Sequence, residues 1–275
     1  MSFPAQPRAV ITGAGSGLGR ALALNLARRQ GRILVADINM ASAAETVQLV
    51  NDASGEGVAF PCDVTRVEDL EGAAAEADRR WGGTDILVNN AGVAAGGLVG
   101  EQSLDDWKWI VGINLWGVIH GCHVFAPRFR ERGSGYILNV ASAAGFVSLP
   151  EMASYNVTKA GVISLSETLS SELGPCGVRV SVACPSFFKT NLMDTFRSPG
   201  DRQRLMAGNL FKRSRVTADV VAAAALDGLE SGTLYIVPHS EGRLAWRLKR
   251  FHPGLYFASM RRLFYSWGLD RRLLK

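Results

Sequence analysis

Residues 8–20, with the sequence R-A-V-I-T-G-A-G-S-G-L-G-R, decide the fold. Residues 8–12 form an apolar run that is typical of a short buried strand, and an apolar-periodic helix is predicted directly after the stretch. Between them lie Gly13, Gly17 and Gly19, whose backbones can take positive φ and approach a ligand closely. Because a helix N-terminus presents free N–H groups and a favourable dipole, this pattern indicates a pyrophosphate-binding turn. A tight turn without a ligand is the alternative.

A second strand is predicted over 33–37, and it ends in Asp37, 18 residues after Gly19. At this distance from a glycine turn, a carboxylate typically accepts hydrogen bonds from the hydroxyl groups of an adenosine ribose. The same negative charge would repel a 2′-phosphate, so the sequence favours NAD over NADP. The alternative is that Asp37 only caps the helix predicted to begin near Met40.

A second group of reactive side chains lies in residues 142–159, S-A-A-G-F-V-S-L-P-E-M-A-S-Y-N-V-T-K. Tyr155 and Lys159 are four residues apart, so on a helix they project from the same face. A free phenol has a pKa near ~10, and a neighbouring ammonium would lower it, which makes Tyr155 a candidate general acid and base. Ser142 follows a strand predicted over 136–140, and its hydroxyl is a candidate to orient a substrate oxygen. Such a Tyr and Lys pair also occurs by chance on exposed helices, so these residues alone leave that alternative open.

Together these features resemble the short-chain dehydrogenase/reductase family in its NAD-preferring form. The chain carries the family's T-G-x-x-x-G-x-G turn at 12–19, its N-N-A-G motif at 89–92 and its Y-x-x-x-K motif at 155–159. Ser16 and Ile38 stand where family members that prefer NADP usually carry Arg or Lys. The resemblance therefore also implies NAD as the cofactor.

The resemblance implies a role for each matched residue. Four residues are expected to be catalytic, with the asparagine anchoring a water that joins the lysine to a proton relay: Asn114, Ser142, Tyr155 and Lys159. The residues expected to bind the cofactor are Gly13, Ser16, Gly17, Leu18, Gly19, Asp37, Asp63, Val64, Asn89, Ala91, Gly92, Tyr155, Lys159, Pro185 and Thr190. Within that set, Asp63 and Val64 should lie along the adenine, and Thr190 should contact the nicotinamide carboxamide. Family members usually carry Gly where this chain has Ser186, which adds a side chain beside the nicotinamide.

Seven predicted strands alternate with helices, which is the pattern of an α/β, Rossmann-like doubly wound parallel sheet with helices on both faces. We expect residues 1–239 to form a single catalytic domain of this type. Within it, residues 187–215 carry nine Phe, Leu and Met side chains and are predicted to form a substrate lid. Such a lid favours a lipophilic substrate, although some of these side chains must simply hold the loop.

Residues 240–275 form a basic C-terminal extension, with nine Arg or Lys and two acidic residues, a balance of +7 against +5 for the whole chain. Its later part places six apolar side chains on about a third of the helical wheel: Tyr256, Phe257, Met260, Leu263, Phe264 and Trp267. A basic amphipathic helix of this kind can lie on an anionic membrane surface. It can equally close over the substrate pocket or dock on a neighbouring subunit, so the sequence leaves three uses open.

Composition argues against several other classes of protein. No run of about 18 apolar residues is present and the first strand begins early, so we expect a cytoplasmic protein, with peripheral membrane contact through 240–275 as an option. The four cysteines show no C-x-x-C spacing, and His120 with His123 has no third ligand nearby, so neither disulfides nor a metal site is expected. No nucleic-acid motif accompanies the basic charge, so no nucleic-acid partner is expected.

The sequence therefore predicts an NAD-dependent oxidoreductase that interconverts a secondary alcohol and a ketone. The expected substrate is a lipophilic small molecule of the steroid, retinoid or long-chain type, and the resemblance implies a homodimer or homotetramer. One alternative is a reductase of an acyl thioester or a small polar carbonyl on the same scaffold. The other is a non-catalytic, NAD-binding protein recruited to a membrane, which the intact set of Ser142, Tyr155 and Lys159 disfavours.

Overall fold

The computed structural model describes residues 3–201, 203–205, 208, 214 and 216–266. Its strands are β1 (Arg8–Thr12), β2 (Arg32–Asp37), β3 (Glu56–Pro61), β4 (Ile86–Asn89), β5 (Gly135–Val140), β6 (Val178–Ala183) and β7 (Tyr235–Ile236). They form one parallel sheet of seven strands in the order β3-β2-β1-β4-β5-β6-β7. The predicted doubly wound α/β sheet is confirmed.

The winding of the sheet reverses between β1 and β4. Val10 of β1 pairs with Leu34 of β2 on one side and with Leu87 of β4 on the other. In open α/β sheets, ligands bind outside the carboxyl ends of the strands at such a reversal. Asp37 and Asn89 end β2 and β4, so the fold brings both residues to this edge.

The described chain contains ten α-helices: α1 (Gly17–Ala27), α2 (Met40–Asp52), α3 (Val67–Trp81), α4 (Leu104–Val111), α5 (Gly117–Arg132), α6 (Ala144–Val147), α7 (Ala153–Leu173), α8 (Ala218–Ser231), α9 (Ser240–Phe251) and α10 (Pro253–Ser266). Successive strand residues point to opposite faces, so Val10 packs with α3, α5 and α7, whereas Ile11 packs with α1, α2 and α8. Both side chains are fully buried. Each such burial stabilises the fold by roughly 1.5–3 kcal/mol.

Helices α4 and α5 belong to one helical stretch that is interrupted by a π turn at Gly112–Trp116. A π turn adds one residue to the helix and is frequent at functional sites. The stretch Leu104–Arg132 is long and apolar enough to cross a membrane, but half of its most apolar window is buried inside the fold. That burial is typical of the core helix of a globular fold.

The lid predicted over 187–215 is described in part. Phe188 and Phe196 are buried, and a short 3-10 turn covers Asn191–Met193. These residues hold the first half of the segment against the domain. Four of the apolar residues predicted for the lid and the tail lie outside the described residues: Met206, Leu210, Phe211 and Trp267.

The C-terminal extension contains two helices, α9 and α10, where the sequence predicts one. The break falls at Pro253, which lacks the N–H that a continued helix needs. Tyr256 is 1% exposed, and its hydroxyl donates to the Val147 carbonyl at 2.5 Å. Trp246 stacks on Phe146 with ring centroids 4.5 Å apart. One face of the tail therefore packs against α6.

Candidate active site

The glycine turn joins β1 to α1. Gly13 and Gly17 have φ angles of 63° and 53°, in the left-handed region that favours glycine. Nδ2 of Asn90 donates to the carbonyls of Thr12 at 2.9 Å and Gly13 at 3.0 Å, which holds the turn against the end of β4. A Cβ atom at Gly19 would clash with the Gly13 carbonyl oxygen, so this glycine serves close packing. The turn therefore presents bare backbone and the N-terminus of α1 to the space above it.

Asp37 lies beside this turn at the end of β2. Its carboxylate accepts two hydrogen bonds of 2.8 Å, from the backbone N–H groups of Gly15 and Asn39. The cap of α2 is Asn39, whose side chain accepts from the Ser42 N–H at 3.1 Å. Capping is therefore not the role of Asp37. A carboxylate has about four acceptor positions, so Asp37 keeps capacity for further hydroxyl donors.

One cavity of about 580 Å³ runs along the carboxyl edge of the sheet. One end is lined by the glycine turn, Asp37, Asp63 and Val64. The wall then follows the strand order. Ala91 and Gly92 line it after β4, and Ser142, Tyr155 and Lys159 line it near β5. Pro185 and Thr190 line it after β6. The other end is mainly apolar and is lined by Ala94, Val147, Leu149, Pro150, Met152, Phe187, Phe188, Leu192 and Phe196.

Asn89 and Gly19 are the two predicted cofactor residues that do not line this cavity. Asn89 is 2% exposed, and its Nδ2 donates to Asn139 Oδ1 at 2.9 Å and to Cys122 Sγ at 3.4 Å, inside the fold. Its neighbour Asn90 lines the cavity and braces the glycine turn. Sequence reasoning passes over Asn90, although the alternation of side chains along a strand is a signal that separates the two asparagines.

The structure brings Ser142, Tyr155 and Lys159 together at the junction of β5 and α7. The Ser142 hydroxyl donates to the Pro185 carbonyl at 3.3 Å, and the Ser142 side chain lies close enough to Tyr155 to favour a lower pKa of the phenol. Lys159 Nζ donates to the Val140 carbonyl at 2.9 Å and lies 5.7 Å from the centroid of the Tyr155 ring. Two hydroxyl groups and an ammonium therefore share one buried corner of the cavity.

Burial controls the pKa values of this corner. It raises the pKa of Tyr155 to about 12, and the nearby Ser142 side chain opposes that shift only in part. It lowers the pKa of Lys159 to about 8. The expectation that Lys159 lowers the pKa of Tyr155 is therefore wrong for this arrangement. The physical reason is that the amine is directed at the Val140 carbonyl and both groups are desolvated.

Asn114 lies in the π turn and is fully buried. Its Oδ1 accepts from the Val93 N–H at 2.8 Å, and its Nδ2 donates to the Val93 carbonyl at 2.9 Å. A Cβ atom at Gly92 would lie 3.3 Å from Asn114 Oδ1 and 3.6 Å from Lys159 Nζ. The amide and the ammonium therefore flank the same glycine, and the amide holds the segment after β4 in place.

Ser186 is linked to the tail through its backbone. Its N–H donates to Nδ1 of His239 at 3.1 Å. His239 is 4% exposed and directly precedes α9. The Pro185 carbonyl, which accepts from Ser142, belongs to the same peptide unit as the Ser186 N–H. Two hydrogen bonds through this peptide unit therefore connect His239, at the start of the C-terminal extension, to Ser142.

Comparison with known proteins gives the family. A model of the short chain dehydrogenase family matches residues 7–200. The chain belongs to this family. Probable oxidoreductase EphD of Mycobacterium tuberculosis is 35% identical over 203 residues, which cover 72% of this chain and 34% of that relative. This short-chain dehydrogenase thus spans about a third of the length of EphD. The D-threitol dehydrogenase of Mycolicibacterium smegmatis is 37% identical over 184 residues, 67% of this chain and 71% of that relative.

Solved structures of short-chain dehydrogenases share the fold. A family member from Burkholderia phymatum in complex with NAD matches with a TM-score of 0.85 and 32% identity, covering 91% of this chain and 95% of that chain. A short-chain dehydrogenase from Sphingobium yanoikuyae in complex with NADPH has a TM-score of 0.74 and 29% identity, covering 90% and 94%. The family therefore includes proteins that bind NAD and proteins that bind NADPH.

Proposed function

We propose that this short-chain dehydrogenase uses NAD to interconvert a secondary alcohol and a ketone on a lipophilic small molecule. One observation carries the proposal: the hydroxyls of Ser142 and Tyr155 meet in a cavity that has the glycine turn at one end and apolar side chains at the other. A nucleotide and a substrate can then occupy the two ends, with the hydroxyls where they meet. Bound NAD supplies the chemistry of hydride transfer at its nicotinamide ring.

The residues at the glycine-turn end fit this nucleotide. Gly13 and Gly17 leave bare backbone for a pyrophosphate, and the N-terminus of α1 favours its negative charge. Asp37 keeps acceptor capacity for ribose hydroxyls after its two backbone hydrogen bonds. Its charge opposes a 2′-phosphate, which supports NAD over NADP.

The side chains of the site divide the handling of the proton. Tyr155 Oη donates a proton to the substrate oxygen in reduction and accepts it in oxidation. Ser142 Oγ donates a hydrogen bond to the same oxygen and orients it. Lys159 adds positive charge beside the ring and holds the nicotinamide ribose, and Asn114 anchors a water that connects the amine to solvent. Burial raises the pKa of Tyr155 to about 12, so the phenol holds the proton that it donates in reduction.

The substrate class follows from the apolar end of the cavity. Its aromatic and aliphatic lining supports a steroid, retinoid or long-chain ligand. A small polyol or polar carbonyl is a second candidate, because polar side chains also line this part of the cavity: Glu151, Asn191, Asp194, Thr195 and Gln203. The relative named D-threitol dehydrogenase favours the same candidate. The preference for NAD argues against an acyl-thioester reductase, since biosynthetic reductases of that kind usually use NADPH.

A substrate panel with the Tyr155→Phe variant as control tests the proposal. Lipophilic secondary alcohols and ketones are compared with polyols, and reduced NAD is followed by absorbance. We expect turnover of the lipophilic set, a fall of about 10²–10⁴-fold in Tyr155→Phe, and unchanged NAD binding by calorimetry. Turnover of polyols alone would replace the lipophilic proposal with the polar one. Full turnover by Tyr155→Phe would reject the mechanism, and NAD binding without any turnover would support the non-catalytic alternative.

We further propose that residues 1–239 act as one catalytic unit, with 187–215 as the lid, in a cytoplasmic homodimer or homotetramer. The continuous sheet from β3 to β7 supports a single unit. Light scattering on the purified chain measures the assembly, and one cooperative unfolding transition is the expected result for one unit.

A further inference from the structure

The tail helices α9 and α10 pack on the protein through one face. On α9 this inward face carries Gly242, Trp246 and Lys249, at helical spacings of four and three residues. Gly242 is buried, Trp246 stacks on Phe146, and Lys249 Nζ donates to the Phe146 carbonyl at 2.6 Å. These contacts fix the rotation of α9 and determine which residues it turns outward.

The outward face of α9 is both apolar and basic. Leu244 and Phe251 are each 69% exposed, and Arg247 and Arg250 are exposed beside them. The tail helices also expose Arg243, Leu255, Phe257, Arg261, Arg262 and Leu263. Of the 14 large apolar side chains that are exposed in the described chain, five lie in residues 240–266, which are only 27 of the 255 described residues. Exposed apolar side chains are therefore concentrated on the tail, where they mark an interaction surface.

The charge of the tail indicates the partner. Residues 240–266 contain six Arg or Lys and one Glu. A symmetric contact with a second copy would bring like charges together, which is unfavourable. An anionic lipid surface satisfies both features, because arginines pair with lipid phosphates while leucine and phenylalanine enter the acyl boundary.

We propose that the tail surface, formed by Leu244, Arg247, Arg250, Phe251 and Leu255, binds an anionic lipid membrane with α9 lying in the interfacial plane. The exposed apolar side chains provide insertion, and the arginines provide attraction and orientation. Of the three uses that the sequence leaves open, this proposal takes the membrane surface, because the described residues of the tail pack against α6 and are not among those that line the cavity. The inward face closes on the domain, and the outward face meets the lipid.

The inward face also connects the membrane to the cavity. Tyr256 donates to the carbonyl of Val147, and Val147 lines the apolar end of the cavity. When the tail surface binds a membrane, only the short helix α6 separates the tail from the apolar end of the cavity. This second step rests on the proposed lipophilic substrate, whereas lipid binding itself does not.

Co-sedimentation of the full chain with vesicles tests the proposal. Vesicles of phosphatidylcholine alone are compared with vesicles of phosphatidylcholine mixed with phosphatidylglycerol. We expect binding only to the mixed vesicles, with weaker binding as NaCl is added. Arg247→Glu with Arg250→Glu should lower the partition coefficient about tenfold or more. Leu244→Ser with Phe251→Ser should also weaken binding severalfold, because less apolar surface enters the bilayer.

Matched variants outside the tail separate this surface from general effects. Arg28→Glu with Arg130→Glu makes the same change in net charge at two other exposed arginines. Val99→Ser with Leu104→Ser removes two other exposed apolar side chains. Both controls should bind like the wild type. Circular dichroism on all four variants verifies the fold without any substrate, so failure of this test is distinct from failure of the proposed function.

Three results would overturn the proposal. The first is absent binding of the wild type, or equal binding to neutral and mixed vesicles. The second is an equal loss of binding in the tail variants and their controls. The third is a dimer, measured by light scattering, that dissociates in Leu244→Ser with Phe251→Ser while vesicle binding is absent, because a second copy would then cover the surface.

Discussion

The amine of Lys159 lies 5.7 Å from the centre of the Tyr155 ring and donates a 2.9 Å hydrogen bond to the Val140 carbonyl. Both side chains are almost fully buried on one face of α7. Burial favours the neutral form of each group, so it shifts their pKa values in opposite directions, to about 12 for Tyr155 and about 8 for Lys159. The pair therefore combines a firmly protonated phenol with an amine that loses its proton readily.

We predict that Lys159→Met stabilises the fold while it impairs turnover. The pKa of Lys159 is about 8 in the folded chain against an ordinary value of 10.5, so the unfolded chain binds more protons between these two pH values. The stability of the wild type should therefore rise with pH across that window, and the burial penalty is fully present below it. Met removes the penalty, and at pH 7 the variant should gain roughly 1–3 kcal/mol. Urea unfolding at pH 7 and pH 10 measures the gain, which should shrink at the higher pH.

A matched control for this prediction is Lys108→Met, because Lys108 is an exposed lysine on α4. Its effect on stability should be small and similar at both pH values, as for most surface substitutions. If Lys159→Met is instead less stable than the wild type at pH 7, the hydrogen bond to Val140 outweighs the desolvation of the ammonium.

Ser142→Ala should lower kcat/KM by about 10²–10³-fold, because the substrate oxygen loses a hydrogen-bond donor. Ser142→Thr keeps a hydroxyl and should recover most of the rate. Steady-state kinetics at saturating NAD measure both variants, and thermal unfolding checks that the hydrogen bond to Pro185 is not the main effect. Loss of activity in step with loss of stability, without rescue by Thr, would show a structural serine.

Asp37→Ser combined with Ile38→Arg should shift the cofactor preference toward NADP. Asp37→Ser removes a charge that repels a 2′-phosphate, and Ile38→Arg adds a charge that attracts it. Ile38 is 74% exposed and lines the cavity, so the new arginine can reach the cofactor. We expect the ratio of kcat/KM for NADP over NAD to rise roughly 10²-fold. Asp63→Ser, which removes another carboxylate at the same end of the cavity, should leave the ratio nearly unchanged. An unchanged ratio in the double variant would contradict the proposed role of Asp37.

His239→Phe should destabilise the protein by about 1–3 kcal/mol, because it leaves the Ser186 N–H without its acceptor. His239→Asn can place Oδ1 near the position of Nδ1 and should retain most of the stability. Burial lowers the pKa of His239 below its ordinary value of 6.5. The negative charge of Glu241 opposes this shift, and the positive charge of Arg243 adds to it. Because the unfolded chain then binds more protons, the stability of the wild type should fall as the pH falls below 6.5.

Thermal unfolding at pH 7 and pH 5 measures the histidine effect in the wild type and both variants. The part of the pH dependence that comes from His239 should be absent in His239→Phe and in His239→Asn. Equal stability of His239→Phe and the wild type at pH 7 would mean that the Ser186 N–H finds another partner.

The strands show where sequence patterns predict structure well. β1 and β6 cover the predicted residues 8–12 and 178–183, since each is a compact apolar run bounded by turn residues. β7 is shorter than the predicted 233–237, because only Tyr235 and Ile236 at this sheet edge pair with β6. Apolar character predicts a buried strand, but pairing at an edge depends on the neighbouring strand.

Helix α9 shows where patterns fail. Its inward face carries Gly242 and Lys249 beside Trp246, whereas Leu244 and Phe251 face outward. Hydrophobic periodicity assumes that apolar residues face the core. On α9 that assumption selects the wrong face, so the sequence gives no clear sign of a docked helix.

In the site, the sequence predicts which groups meet but not their environment. The four-residue spacing places Tyr155 and Lys159 on one face of α7, as expected. The sign of the pKa shift of Tyr155 depends on burial, which comes from α4, the lid and α6 and cannot be read from the spacing. The direction of the Asn89 side chain likewise depends on the contact with Asn139 across the sheet.

The π turn at Gly112–Trp116 sets the rotational phase of α5. Each residue of an α-helix advances the side-chain direction by about 100°, so deleting one residue of this turn would rotate everything beyond it relative to everything before it. Either Asn114 would swing away from Val93, or Phe125 and Phe129 would leave the sheet. The inserted residue thus lets one helix direct Asn114 toward Val93 and also direct Phe125 and Phe129 toward the sheet. A regular helix could satisfy only one of these two directions.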